Sequence, residues 1–130
     1  MSKRLQVALV GAGHMGKLHV RALAERDDAL LVAVCDVDAR AAAEVAAVSG
    51  AQVVADVRDL SEEVDAAILA AATSAHRDLA LVLAERRIAL LVEKPLAGTA
   101  AEARKIADAA RDVGAIVQVG HILRFDPVTR

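Results

Sequence analysis

The sequence predicts an α/β domain built on a doubly wound parallel sheet of about six strands. Short aliphatic runs alternate with longer segments of helical period, and this alternation is typical of βαβ units whose parallel sheet is covered on both faces. The length of 130 residues matches a single domain at roughly 150 residues per domain. The predicted strands span residues 5–10, 29–35, 52–55, 66–71, 88–92 and 115–119.

Helix signals fill the segments between these strands. After the first strand, apolar residues recur at the spacing of one helix face that packs on a sheet. Asp38 is typical of an N-cap and Gly50 of a helix end, so a second helix is expected between them. The residues of the first apolar face are Met15, Leu18, His19, Ala22 and Leu23.

Three further helical segments complete the predicted order. A short helical turn is expected over residues 56–63. Ser74 is predicted to cap a helix that runs to about Arg87. Thr99 and Glu102 form a capping box, in which the two side chains reciprocally accept from backbone amides, at the start of a helix that ends at Gly114.

Composition excludes several classes of partner. The chain has 16 basic and 18 acidic residues and a formal charge of -2, so it lacks the basic field that attracts nucleic-acid backbones or anionic lipid. Phe125 is the only aromatic residue, which removes the stacking surfaces of single-strand and RNA-binding modules. The longest apolar runs have seven residues, far below the ~20 that cross a bilayer. Neither nucleic acid nor a membrane is an expected partner.

Cysteine and histidine content bears on compartment and metals. Cys35 is the only cysteine, so the chain can form neither an intrachain disulfide nor a cysteine-based zinc site, and a reducing, cytoplasmic location is expected. No histidine pair has the H-E-x-x-H spacing of a zinc site. We therefore predict no bound metal.

A glycine-rich loop follows the first predicted strand. Residues 11–16 read Gly-Ala-Gly-His-Met-Gly and match G-x-G-x-x-G at the start of an amphipathic helix. In this setting Gly11 permits a tight turn, Gly13 lets a pyrophosphate approach the backbone, and Gly16 lets the helix pack against the strand. The backbone amides of His14 and Met15 then lie at a helix N-terminus, which attracts phosphate. This pattern predicts a Rossmann fold that binds a dinucleotide.

Asp36 ends the second predicted strand, 20 residues after Gly16. At this spacing a carboxylate can bind the adenosine ribose hydroxyls, and its charge would repel a 2'-phosphate. The sequence therefore favours NAD over NADP, although Arg40 could offset some of the repulsion if it turned inward. The alternative interpretation is that Asp36 only starts a turn or caps the next helix.

Three further segments make the chain resemble the Gfo/Idh/MocA family of NAD(P)-dependent oxidoreductases. Residues 92–96, Val-Glu-Lys-Pro-Leu, match its Glu-Lys-Pro motif after the fifth strand. Residues 73–76, Thr-Ser-Ala-His, follow the fourth strand, and residues 119–127 read Val-Gly-His-Ile-Leu-Arg-Phe-Asp-Pro. The resemblance covers essentially the whole chain, and the ordered set of motifs is much more specific than the glycine loop.

The resemblance implies hydride transfer between a nicotinamide ring and a sugar, inositol or similar alcohol. Lys94 would lie near the reacting hydroxyl, where an ammonium stabilises a developing alkoxide, and it would also contact the cofactor. Glu93 would orient the cofactor or that ammonium. The loop after the fourth strand would line the nicotinamide pocket through Ala71, Ala72, Thr73 and His76. The resemblance also suggests a cis Lys94-Pro95 bond. An isolated Glu-Lys pair before a turn proline would be an ordinary surface feature.

The sequence departs from the family pattern at several positions. Ala71 and Ala72 stand where family members usually have Thr-Pro, and Leu123 stands where a polar residue is common. Arg87 occupies the place of a glycine, and residues 88–89 replace a pair resembling Lys-His. The missing glycine would cost about 1 kcal/mol if the chain needs a left-handed residue there.

Family members continue into a second α/β domain that binds substrate, whereas this sequence ends at Arg130. We expect residues 1–130 to be a dinucleotide-binding domain with little turnover by itself, since hydride transfer needs a substrate held close to the nicotinamide. A polyol or sugar substrate would then require the second domain. His121 could pack under that domain or contact cofactor. An apolar tail would promote homo-oligomers if unshielded; its residues are Ile122, Leu123, Phe125 and Val128.

Two other functions share part of this pattern. A stand-alone dinucleotide-binding or sensing module would keep the glycine loop and Asp36 without catalysis. An S-adenosylmethionine methyltransferase also has a glycine loop and an acidic end to its second strand, but the Glu93-Lys94 motif argues against it.

Overall fold

Six parallel strands form one sheet in a computed structural model that describes residues 3–120. The order across the sheet is β3-β2-β1-β4-β5-β6, so the chain winds outward from β1 in one direction and from β4 in the other. The predicted doubly wound α/β fold is confirmed. The strands are β1 (Leu5–Val10), β2 (Ala29–Cys35), β3 (Gln52–Val54), β4 (Ala66–Leu69), β5 (Ala89–Glu93) and β6 (Val117–Gly120).

Four α-helices and one 3-10 turn connect the strands. They are α1 (His14–Ala24), α2 (Ala39–Ala47), a 3-10 turn (Val57–Asp59), α3 (Thr73–Glu85) and α4 (Ala100–Val113). Val20 of α1 and Val45 of α2 pack into one apolar layer of the sheet, and Leu83 of α3 and Ile106 of α4 pack into the other. Both faces of the sheet are therefore covered, which explains why its strands read as nearly continuous apolar runs.

The first two strands have the predicted bounds, and the other four differ by one or two residues. β4 was expected to continue to residue 71 but ends at Leu69, and Ala70 and Ala71 instead pass directly beside Gly11. β5 and β6 begin later than predicted and end one residue later, so Glu93 and Gly120 lie within the sheet as paired residues. The later ends matter because they bring Glu93 to the carboxyl edge.

The buried face of α1 differs from the predicted apolar stripe. Met15 and Leu18 are 37% and 40% exposed, whereas Gly16 and Val20 are buried. A Cβ placed on Gly16 would lie 2.1 Å from the carbonyl oxygen of Gly11, so the helix approaches β1 most closely at this residue. This close approach, rather than the distribution of apolar side chains, sets the rotation of the helix.

The structure confirms only some of the predicted helix caps. The Asp38 carboxylate accepts from the backbone amides of Arg40 and Ala41, as an N-cap does, but α2 ends at Ala47, before Gly50. α3 begins one residue before Ser74, and its N-cap, Ala72, makes no side-chain hydrogen bond.

The end of α3 and the start of α4 bear on two further predictions. Arg87 has a φ of 57°, so a left-handed residue is needed where family members have glycine. Thr99 Oγ1 accepts from the Glu102 amide at 3.1 Å. The Glu102 carboxylate lies 3.7 Å from the Arg77 guanidinium, so Glu102 pairs with α3 and does not complete the predicted reciprocal capping box. α4 ends at Gly114, whose φ is 73°.

Candidate cofactor-binding site

The fold creates a crevice where β1 and β4 lie side by side. The connections of β1 and β4 leave toward opposite halves of the sheet, and ligands of open α/β sheets bind at such a switch point, beyond the carboxyl ends of the strands. Val10, Cys35, Leu69 and Val92 stand level in register at these ends. The glycine loop, Asp36 and the Glu93-Lys94 segment all follow directly from this edge.

The glycine loop has the geometry that its sequence predicts. Gly11 has a φ of 103°, and a Cβ there would lie 2.5 Å from the backbone of Ala70 and Ala71. Its amide donates to the Cys35 carbonyl at 2.9 Å. Gly11 therefore meets both needs that only glycine serves, a positive φ and close backbone contact.

Gly13 differs from the other two glycines because it faces open space. A Cβ on Gly13 would meet no atom within 4 Å, so packing within residues 3–120 does not require glycine here. Gly13 is the N-cap of α1 and lacks a side-chain cap, which leaves the first amides of the helix directed at the crevice. Positive partial charge and free space coincide at this point, and a phosphate group fits both.

Asp36 directly follows β2 and connects the end of that strand to the glycine loop. Its Oδ2 accepts from the Ala12 amide at 2.7 Å and its Oδ1 accepts from the Asp38 amide at 2.8 Å. Each carboxylate oxygen has a second lone pair, so both remain able to accept from a ligand hydroxyl. The bond from Asp38 shows that Asp36 does start a turn, as the alternative interpretation expected; binding of a ribose by the same carboxylate stays a prediction.

A cavity of about 360 Å³ opens next to Asp36. This volume falls within the range of small-molecule sites. Val57, Leu79 and Val82 contribute apolar lining, and Gly11 and Arg58 also line the cavity. Arg86 keeps the 3-10 turn in place by donating to the carbonyls of Val57 and Leu60 at 3.0 and 2.7 Å. The sequence did not predict Arg86, because the two carbonyls that it contacts lie 29 and 26 residues away in the chain. It did not predict Arg58, because that residue belongs to no recognised motif.

Negative charge dominates the strand ends at this cavity. Burial, and to a smaller extent the carboxylates of Asp56, Asp36 and Asp59, together raise the pKa of the Cys35 thiol to about 11. The Arg40 guanidinium is 91% exposed and lies 3.9 Å from Glu44, so it does not turn toward Asp36. This arrangement suits ribose hydroxyls and opposes an added 2'-phosphate.

Glu93 and Lys94 lie on the other side of the switch point, at the end of β5. Glu93 is half-buried and hydrogen-bonds through Oε1 to Nε2 of His19 on α1. Lys94 is exposed at the edge, and the Lys94-Pro95 bond is cis, as the resemblance suggested. Since a carboxylate only accepts, the His19 nitrogen carries the proton of this bond. The sequence separation of 74 residues explains why the pair was not predicted.

His76 is buried beneath the loops rather than exposed in the crevice. It is 1% exposed, and its Nε2 lies 2.9 Å from the Ala71 carbonyl. Its Nδ1 lies 3.0 Å from the carbonyl of Pro95 and 3.3 Å from that of Leu96. The observed contacts of His76 therefore join the loop after β4 to the loop after β5.

The remaining predicted site residues surround the crevice. Ala71 and Ala72 line the cavity, Thr73 is the first residue of α3, and His14 and Met15 are exposed at the first turn of α1. His121 and the apolar tail of residues 122–128 lie outside the described residues. The helices of residues 3–120 are too short or too polar to cross a bilayer.

Comparison with known proteins gives a consistent result. A family described as "Oxidoreductase family, NAD-binding Rossmann fold" matches residues 5–121. An inositol 2-dehydrogenase of Rubrobacter xylanophilus is 42% identical over 97% of the chain and 38% of its own length. The rhizopine catabolism protein MocA of Rhizobium meliloti is 38% identical over 95% of the chain and 39% of its own length.

Solved structures agree with the sequence relatives. GenD2 from gentamicin A biosynthesis, solved in complex with NAD, superposes with a TM-score of 0.92 at 30% identity, over 98% of this chain and 37% of GenD2. The WlbA dehydrogenase of Bordetella pertussis, solved with NADH and UDP-GlcNAcA, has a TM-score of 0.87 at 27% identity, over 92% of this chain and 35% of its own. The chain thus spans less than two-fifths of the length of these relatives. It belongs to the Gfo/Idh/MocA oxidoreductase family and corresponds to its NAD-binding Rossmann domain.

Proposed function

We propose that this chain is the cofactor-binding part of an NAD-dependent dehydrogenase that acts on an alcohol carbon of inositol, a sugar or a similar polyol. The observation that carries the proposal is the crevice itself. The first amides of α1 and the Asp36 carboxylate lie at the same edge of the sheet, and the space over Gly13 between them is open. These groups have the chemistry of a pyrophosphate site beside a ribose site.

We assign the two ends of the cofactor to the two sides of the switch point. The adenosine would occupy the 360 Å³ cavity, with its ribose hydroxyls donating to Asp36 and its phosphates accepting from the amides of His14 and Met15. The nicotinamide half would lie toward β4 and β5, near the loop of Ala71 and Thr73. When bound, the nicotinamide ring accepts or donates the hydride.

Lys94 is the residue that we assign to the reacting hydroxyl. It is exposed at the carboxyl edge, directly after the residue that ends β5. Within residues 3–120, no carboxylate lies within 4.0 Å of its ammonium group. An ammonium in this position can stabilise negative charge on a substrate oxygen or exchange a proton with it.

The substrate class rests on the relatives. The inositol 2-dehydrogenases act on inositol by their names, and WlbA was solved with a nucleotide sugar, which supports a polyol or sugar. In the longer relatives, the remaining three-fifths of the protein, which this chain does not cover, would supply the rest of the substrate site. We also retain a cytoplasmic location and a homo-oligomer as parts of the proposal; the single, buried cysteine supports the first.

Calorimetric titration of the 130-residue chain with NAD, NADH, NADP and S-adenosylmethionine tests the cofactor assignment. NAD should bind, NADP should bind at least tenfold more weakly, and S-adenosylmethionine should not bind. Asp36→Ala should weaken NAD about tenfold to a hundredfold, the effect of hydrogen bonds to a charged group. Arg40→Ala is the matched control on the exposed side and should leave NAD affinity unchanged. Absence of binding by both NAD and NADH would contradict the proposal.

The role of Lys94 needs a separate experiment. Lys94→Ala should change NAD affinity only slightly, yet it should abolish hydride transfer to inositol when the chain is joined to the substrate domain of an inositol dehydrogenase. If the joined wild-type protein bound NAD and still transferred no hydride to inositol or to other polyols and sugars, the stand-alone binding module would be the better description.

A further inference from the structure

His19 and Glu93 form a contact between parts of the molecule that are far apart in sequence. Nε2 of His19 donates to Oε1 of Glu93, and the two side chains are only 20% and 15% exposed. Water is therefore largely excluded from the pair. A charge-assisted hydrogen bond that is shielded in this way is stronger and more directional than an exposed one.

Both partners stand on rigid parts of the fold. His19 lies three residues after Gly16, where α1 approaches β1 too closely for any side chain. Glu93 is the last residue of β5 and is paired in register with Gly120 of β6. A Cβ on Gly120 would lie 3.8 Å from Cδ and Oε1 of Glu93. The carboxylate is thus held between α1 and the end of β6.

The contact also leaves the Lys94 ammonium without Glu93 as a partner at the edge of the sheet. With Glu93 bound to His19, the neighbouring Lys94 lacks an ion-pair partner within residues 3–120. The carboxylate of this segment is thus bound to His19, whereas the ammonium that follows it in the chain is exposed at the edge of the sheet.

We propose that His19 is a positioning residue for the nicotinamide half of the cofactor, acting through its hydrogen bond to the Glu93 carboxylate. The inference rests on the proposed function, because it assigns the β5 end of the crevice to the nicotinamide. It adds a role for α1 beyond its amides: the first turn of the helix serves the phosphates, and the second turn fixes the carboxylate beside Lys94.

The test compares NAD with ADP-ribose, which is the same molecule without the nicotinamide ring. His19→Leu removes the donor at similar volume and should weaken NAD roughly tenfold, as expected for a hydrogen bond to a charged group, while ADP-ribose affinity changes less than twofold. His19→Gln retains an N–H donor and should recover most of the loss. Arg21→Gln, an exposed change on the same helix, is the matched control and should alter neither affinity.

A second variant keeps the test valid if His19→Leu folds poorly. Glu93→Ala should produce the same selective loss of NAD affinity, and the double variant with His19→Leu should lose no more than either single change, because the two residues act as one unit. A residue that only held the fold together would weaken both ligands equally.

The outcomes separate the two proposals. If wild-type protein binds both ligands, and the His19 and Glu93 variants weaken both equally or neither, the positioning role is overturned and the cofactor assignment stands. If wild-type protein binds neither ligand, the cofactor assignment is wrong and the role of His19 falls with it.

Discussion

The two sides of the crevice are built in different ways. On the β1-β2-β3 side, Asp36 contacts Ala12 across 24 residues of chain, and both belong to one sequence motif. On the β4-β5-β6 side, His19 and Glu93 are 74 residues apart and belong to separate motifs. The first side is determined by backbone geometry, and the second by a contact between side chains of elements that are distant in the sequence. Substitutions on the two sides should therefore differ in how strongly they change the free energy of unfolding and how strongly they change NAD affinity.

The largest effect is expected within the glycine loop, where two glycines serve different purposes. Gly16→Ala places a Cβ 2.1 Å from the Gly11 carbonyl oxygen and should lower the free energy of unfolding by about 3 kcal/mol or more. Gly13→Ala meets no neighbour within 4 Å and should leave stability nearly unchanged while weakening NAD at least about tenfold. Urea denaturation and titration with NAD measure the two effects. Equal stability of the two variants would contradict this division.

On the opposite side, His76→Leu should be the most damaging change to stability. The imidazole is 1% exposed and lies within hydrogen-bond distance of carbonyls in two loops; its N–H donates to at least one of them, so its loss leaves a buried acceptor unpaired. We expect the free energy of unfolding to fall by about 2 to 3 kcal/mol. His14→Leu, at an exposed histidine, should change it by less than about 0.5 kcal/mol. Chemical denaturation of both variants decides whether His76 is structural.

The Cys35 thiol gives the β2 side a pH dependence. Its pKa is raised from 9.0 to about 11 by burial and neighbouring carboxylates, so the folded state retains the proton that the unfolded chain loses. This contribution to stability is complete below pH 9 and is lost as the pH rises through 11. Between these values wild-type protein should lose about 1 to 2 kcal/mol more than Cys35→Ala. Parallel denaturation curves for the two proteins across this range would exclude the effect.

The smallest effect is a gain in stability away from the crevice. Arg87 is exposed and has a φ of 57°, a conformation that glycine adopts without strain. Arg87→Gly should raise the free energy of unfolding by about 0.5 to 1 kcal/mol and leave NAD affinity unchanged. Lys105→Gly within α4 is the control, and there glycine should destabilise by about 1 kcal/mol. A loss of stability in Arg87→Gly would show that its side chain contributes contacts.

The sequence predicted local features well and long-range ones poorly. The glycine loop, the Asp38 and Thr99 caps and the first two strands depend on residues close in the chain, and all were predicted. The rotation of α1 was wrong because backbone contact at Gly16, not apolar surface, determines it. The buried contacts of His76 and the pairing of His19 could not be predicted, because their partners are set by how β5 lies beside β4.

Asp36 combines a structural role in a turn with the ligand-binding role that we propose for it. Its two oxygens already accept from Ala12 and Asp38, so the carboxylate that we assign to the ribose also connects the glycine loop to the turn after β2. Replacing Asp36 by alanine, in order to admit a phosphorylated ribose at the proposed site, would leave the backbone amides of Ala12 and Asp38 without their acceptor. A substitution that removes the negative charge but keeps a side-chain oxygen as an acceptor, such as Asp36→Asn or Asp36→Ser, avoids part of this loss.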